Sequence, residues 1–156
     1  MKIGIIVYSH TGNTLSVAER IREKLTAKGH ETELKRVIPA VDDPKVKAPM
    51  EFASAPDATD YDVLLFGSPV WGFSLSTVMK DYLTKQPSLS GKQVGCFLTH
   101  AFPYPWLGGN SAMKQFRGLC EKKGAKVAAT AIVNWSSKKR EKDIITASEL
   151  LGKIGG

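Results

Sequence analysis

The sequence predicts an α/β domain in which a parallel sheet lies between two layers of helices. Three observations carry that prediction. Apolar runs of strand length alternate along the chain with amphipathic stretches of helical period. The run YDVLLFG at residues 61–67 is apolar without alternation, as expected of a strand covered on both faces. Short polar or glycine-containing segments follow the carboxyl ends of several strands, where ligands bind in such sheets. At 156 residues, 42% hydrophobic and 24% charged, the chain has enough material for one core and needs no second domain.

Residues 2–8 form the first strand. The helix predicted over 14–28 sets Leu15, Ala18, Ile21, Arg22 and Leu25 along one side, and Gly29 ends it in the left-handed conformation. Thr32, Leu34 and Val37 alternate as a half-exposed second strand. Residues 38–60 contain Pro39, Pro44, Pro49 and Pro56, which argues against a full-length helix in that crossover. Residues 61–67 are the third strand. Leu75, Val78, Met79, Tyr82 and Leu83 recur at helical spacing over 75–85, and residues 94–99 form the fourth strand. The helix over 110–123 is capped by Asn110, buries Met113, Phe116, Leu119 and Cys120, and stops at Gly124. Residues 126–133 are the fifth strand. A last helix over 138–151 buries Ile144, Ala147, Ser148 and Leu151.

Composition excludes several classes of function. The net charge of +7 comes from cations scattered over helix surfaces, with one cluster at Lys138-Lys139-Arg140. No aromatic residues interleave them as a base-stacking platform requires, so a nucleic-acid partner is not expected. No apolar run reaches the length of a membrane span, and the N-terminus lacks a cleavable leader; the expectation is a cytoplasmic protein without a membrane partner. Cys96 and Cys120 fall in an apolar strand and on an apolar helix face, far from any CxxC spacing. They read as buried thiols.

Three segments at the ends of the first, third and fourth strands should converge: SHTGNT (9–14), SPVWGFS (68–74) and THAFPYPWLGGN (99–110). The first opens a helix whose N-H groups and dipole attract an anion. Ser9, Thr11, Asn13 and Thr14 add neutral donors, and Gly12 lets the backbone bend closely around a guest. No lysine or arginine lies in the turn. A terminal phosphate monoester suits that donor count better than a carboxylate. Neither GxxxxGK[ST] nor GxGxxG occurs at this turn. A receiver domain would need acidic residues where Ser9, His10 and Ser68 stand, and a tyrosine phosphatase would need a cysteine and an arginine in the first turn. The phosphate is bound and not attacked. Trp71, with Phe102, Tyr104 and Trp106, offers flat apolar surfaces for a ring attached to it. His10 and His100 read as ordinary loop histidines, because the third strand separates them and no further metal ligand is in view. Trp135 is placed on the core edge.

Ser9-His10-Thr11-Gly12-Asn13-Thr14 agrees at every fixed position with S/T-x-T-G-N-T, the phosphate loop of the flavodoxins. Gly67-Ser68-Pro69-Val70-Trp71-Gly72 is similar to the second flavin loop of that family's broader branch. On these motifs, and on a strand and helix order spanning essentially the whole chain, the sequence resembles a short-chain flavodoxin or flavodoxin-like protein. The resemblance implies one three-layer, doubly wound domain over 1–156, with a five-stranded parallel sheet in the order 2-1-3-4-5. It also implies non-covalent FMN and one-electron transfer. Ser9, Thr11, Gly12, Asn13 and Thr14, with the backbone of His10, would hold the phosphate. Ser68, Pro69, Val70, Trp71 and Gly72 would line one side of the flavin, with the Gly72 peptide bonding the ring on reduction. Thr99, His100, Ala101, Tyr104, Trp106, Gly108 and Gly109 would supply the third loop.

Flavodoxins are typically acidic, whereas this chain is basic, so either its redox partner proteins present an acidic docking surface or it is not a free carrier. Two functions stand beside each other: a one-electron carrier, the favoured reading, and an NAD(P)H-dependent quinone or FMN reductase of the same superfamily. A scaffold that has lost its flavin is a third, weaker reading. The carrier is expected as a monomer or weak dimer.

Overall fold

The apolar runs form the strands of one parallel sheet. In the computed structural model, which describes residues 2–47, 49–101 and 108–154, the elements are β1 (Lys2–Val7), α1 (Asn13–Ala27), β2 (Glu31–Arg36), β3 (Ile38–Pro39), β4 (Phe52–Ser54), β5 (Val63–Trp71), β6 (Ser74–Leu75), α2 (Thr77–Lys85), β7 (Gln93–His100), α3 (Gly109–Lys122), β8 (Lys126–Asn134) and α4 (Arg140–Leu151). The long strands pair in parallel in the order β2-β1-β5-β7-β8. Counted within the sheet, this is the expected 2-1-3-4-5.

Side chains alternate between two cores because successive strand residues point to opposite faces. On one face, Ile6, Phe66 and Leu98 pack with Met79 and Tyr82 of α2 and Phe116 of α3. On the other, Ile3, Ile5 and Val7 meet Val17, Ile21 and Leu25 of α1 and Ile144 and Leu151 of α4. Gly67 is one position where the sheet depends on a missing side chain: a Cβ there would lie 2.3 Å from Phe97 Cζ. Cys96 and Cys120 are buried free thiols that share a hydrogen bond, with sulfurs 3.9 Å apart and no disulfide, and burial pushes the Cys96 thiol up.

Several boundaries differ from expectation, each for a local reason. The third strand continues through Ser68-Pro69-Val70-Trp71, because Val70 and Trp71 pair antiparallel with Leu75 and Ser74 of β6. The segment expected as a loop is therefore a β-hairpin, and Leu75 belongs to its return strand, not to a helix. α2 starts at Thr77, where Ser76 Oγ accepts the Met79 N-H at 3.2 Å. α3 is not capped by Asn110. Gly108, at φ 100°, holds the cap position and its carbonyl accepts the Ala112 N-H at 2.9 Å. On α1, Val17 is buried and Arg22 is exposed. α4 starts at Arg140, two residues later than expected. The proline-rich crossover holds no helix among its described residues. It folds as the short β3–β4 pair and is tied to α2 by the Met50 N-H on Asp81 Oδ2 at 2.8 Å and by the Tyr82 hydroxyl on the Pro56 carbonyl.

Candidate functional site

Parallel winding outward from β1 in both directions leaves a crevice at the carboxyl edge, where β1, β5 and β7 end beside one another. A cleft of about 240 Å³ lies there. It is lined by His10, Thr11 and Asn13 of the first turn, Pro69, Val70 and Trp71 of the hairpin, and Thr99, His100 and Ala101 at the end of β7, together with Trp135 and Ser136. All three predicted segments thus contribute to one site.

The first turn is ordered from within. Ser9 is buried, and its Oγ accepts the N-H of Gly12 at 3.1 Å and that of Leu15 at 3.2 Å. Gly12 sits at φ 94°, the left-handed conformation that lets the chain turn directly into α1. Asn13 and Thr14 open that helix, so their N-H groups have no intrahelical acceptor, and Asn13 lines the cleft. Thr14 and Thr99 are buried and share a hydrogen bond of 2.7 Å between their hydroxyls, which joins the roots of the first and third segments. Thr11 is exposed.

The hairpin sets the aromatic wall. Trp71 is half-buried, with Tyr8 edge-on to its ring at 5.5 Å and His10 edge-on at 6.1 Å. Tyr8 donates to Asp42 Oδ1 at 2.5 Å, and the same oxygen lies 3.1 Å from His10 Nδ1. Burial and that carboxylate hold the Tyr8 phenol well above its ordinary pKa. Ser68 does not line the cleft: its hydroxyl is buried against Ser76 Oγ at 2.8 Å and contributes to the hairpin. Gly72, at φ 61°, makes the exposed tip with Phe73. Gly108 packs so closely beneath that tip that a Cβ on it would fall 2.7 Å from Phe73 Cα. Gly109 is buried below His100, where a Cβ would stand 3.6 Å from Nδ1. Tyr104 and Trp106, with Phe102, lie outside the described residues.

Sequence reasoning missed three contributors. Trp135 packs on the core edge as expected, but it also walls the cleft; its N-H donates to the His100 carbonyl at 2.8 Å, and the Arg140 guanidinium sits 4.8 Å from its ring. Its place at the end of the strand next to β7 was the available signal. Asp42 reaches the first turn from the proline-rich segment. Arg36, at the end of β2, donates from Nη2 to the Ser9 carbonyl at 3.4 Å, so a cation does touch a turn that contains none.

A doubly wound parallel sheet whose switch point joins a donor-rich helix start to a tryptophan-bearing hairpin defines a flavodoxin-like α/β protein. The family model for flavodoxin matches residues 5–145, and the chain belongs to the flavodoxin family. It is 31% identical over 135 residues to a flavodoxin of Megasphaera elsdenii, covering 85% of each chain. Its fold is shared with the oxidised flavodoxin 2 of Bacillus cereus (TM-score 0.71, 21% identity, 98% and 99% of the two chains). It is shared as well with a flavoprotein of Lactobacillus acidophilus NCFM solved in complex with FMN (TM-score 0.63, 23% identity, 90% and 97%).

Proposed function

We propose that the protein binds FMN at this cleft and carries single electrons between redox partner proteins. The observation that supports this most is the junction itself: neutral phosphate donors at the start of α1 and a flat aromatic wall on the hairpin share one cleft. FMN fits that donor set. Its phosphate would be held by the N-H groups of Asn13 and Thr14 and the hydroxyls of Ser9 and Thr11, its ring by Trp71 on one side, with Trp135, His100 and Ala101 closing the rest. The bound isoalloxazine supplies the redox chemistry.

The protein's own residues bind, orient and shield. Ser9 keeps the turn in its binding shape before any guest arrives. Tyr8 and His10 pack perpendicular to the Trp71 ring and help fix its angle. Gly72, which follows Trp71 at the hairpin tip, has access to both signs of φ, so its peptide would turn over at low cost against a bound ring. A carrier is favoured over a reductase because the family model matched is that of flavodoxin and the relative of 31% identity is a flavodoxin. Lys138, Lys139 and Arg140 are exposed and begin two residues after the cleft-lining Ser136, and with a net charge of +7 they suit a partner with an acidic docking surface.

Anaerobic titration of FMN-loaded protein, first with NADPH and then with dithionite, tests the reading. NADPH should leave the visible flavin absorbance unchanged and dithionite should remove it. Rapid bleaching by NADPH alone would assign the protein to the reductases instead.

A further inference from the structure

We infer that Arg36 is a positioning residue of the phosphate turn: its guanidinium holds the Ser9-His10 peptide so that the His10 N-H faces the cofactor phosphate, and it brings the turn a positive charge. The inference rests on the FMN reading above and deepens it. Arg36 ends β2 opposite Val7 in the parallel register, and the Val37 N-H donates to the Val7 carbonyl at 2.8 Å, so the end of β2 is fastened beside the start of the turn. Leu34, two residues earlier and on the same face of β2, packs against the core cluster that contains Val17, Ala18 and Ile21 of α1. Arg36 therefore stands on the α1 side of the sheet, level with that helix's N-terminus. From there Nη2 reaches the Ser9 carbonyl at 3.4 Å.

The topology sets what this bond does. β1 lies between β2 and β5. Arg36 thus approaches the turn from one side, while the cleft walled by β5 and β7 opens on the other. In a trans peptide the carbonyl and the N-H point in opposite directions. A Ser9 carbonyl drawn toward β2 leaves the His10 N-H directed to the cleft, which His10 itself lines. A cation on the carbonyl also polarises the peptide and makes its N-H a better donor. At this exposed position the guanidinium's direct attraction for a dianion is modest and falls with added salt.

Quenching of flavin fluorescence by the wild type, Arg36→Gln and Arg36→Lys, with FMN and with riboflavin at low and high salt, tests the inference. Arg36→Gln should weaken FMN by about tenfold, make its dissociation constant less sensitive to salt, and change riboflavin by less than about twofold. Arg36→Lys, which keeps the charge without the planar fork, should recover part of the loss. If Arg36→Gln does not fold, Arg36→Lys carries the comparison, and FMN should weaken in it more than riboflavin does. Unchanged FMN binding, or equal losses for the two flavins, would overturn the role of Arg36. A wild type that binds riboflavin as tightly as FMN would overturn the phosphate-anchored reading itself, and this is seen before any variant is made.

Discussion

Ser9 serves the site chiefly by what it accepts. Its hydroxyl oxygen takes two turn amides that would otherwise be unpaired, and in doing so fixes where the remaining donors point. Ser9→Ala should weaken FMN by about tenfold or more and lower apoprotein stability by about 1–2 kcal/mol, read by fluorescence titration and urea unfolding. An unchanged urea midpoint would show that the two amides find water instead. The turn itself was legible in the sequence, because its residues from Ser9 to Thr14 are consecutive positions between a strand and a helix. Arg36 and Asp42 were not legible. They reach the turn from 27 and 32 residues along the chain, through contacts to Ser9 and His10 that no spacing rule encodes. Ser68 was named for the wrong reason: its neighbours in sequence suggest a lining, but its hydroxyl is spent on Ser76.

Among the elements, the least regular stretch is fastened to α2 in part by one carboxylate. Asp81 on α2 is buried, with Oδ2 accepting the Met50 N-H and pairing with Lys85 Nζ, each at 2.8 Å. Asp81→Ala leaves a buried amide without its acceptor and should cost about 2–3 kcal/mol. It should also speed proteolysis between residues 40 and 56, detectable by mass spectrometry of the fragments, while FMN affinity falls less than in Ser9→Ala. Strand and helix order was legible because the 2.0 and 3.6 periods are local. The continuation of β5 into a hairpin was not: SPVWGFS is rich in turn-forming residues, and pairing with β6 is settled only when Val70 meets Leu75. The start of α3 was misread for the same reason. Asn110 is a good cap by composition, but the fold needs a left-handed residue where the backbone passes under Phe73, and only Gly108 supplies it cheaply.

For the molecule as a whole, the parallel sheet and its order were legible, since continuous apolar strands joined by helices admit few alternatives. Its response to pH depends on side-chain pairs that become visible only on folding. Burial, followed by the bond to Glu33, pushes Tyr61 up to about 12 from its ordinary 10.0. Tyr8 and Tyr82 are raised too, in both cases first by burial. Between those two values the folded state keeps a phenolic proton that the unfolded chain has lost, so stability is complete below pH 10.0 and declines as pH rises toward about 12. At the acid end Glu33 is held low first by the Tyr61 hydroxyl, and Asp57 first by the Thr59 N-H. Their contribution is present above the ordinary 4.5 and 3.8 and disappears as pH falls through the folded values. Tyr61→Phe removes the shared bond, so urea midpoints plotted against pH should become shallower at both ends; flattening on one side only would separate the two residues. The close seat of Gly108 under the hairpin tip has a mechanical outcome. A push that drives Phe73 inward bears directly on Gly108, the cap of α3, and through its neighbour Gly109 on the floor beneath His100, so the hairpin tip and the end of β7 are mechanically joined.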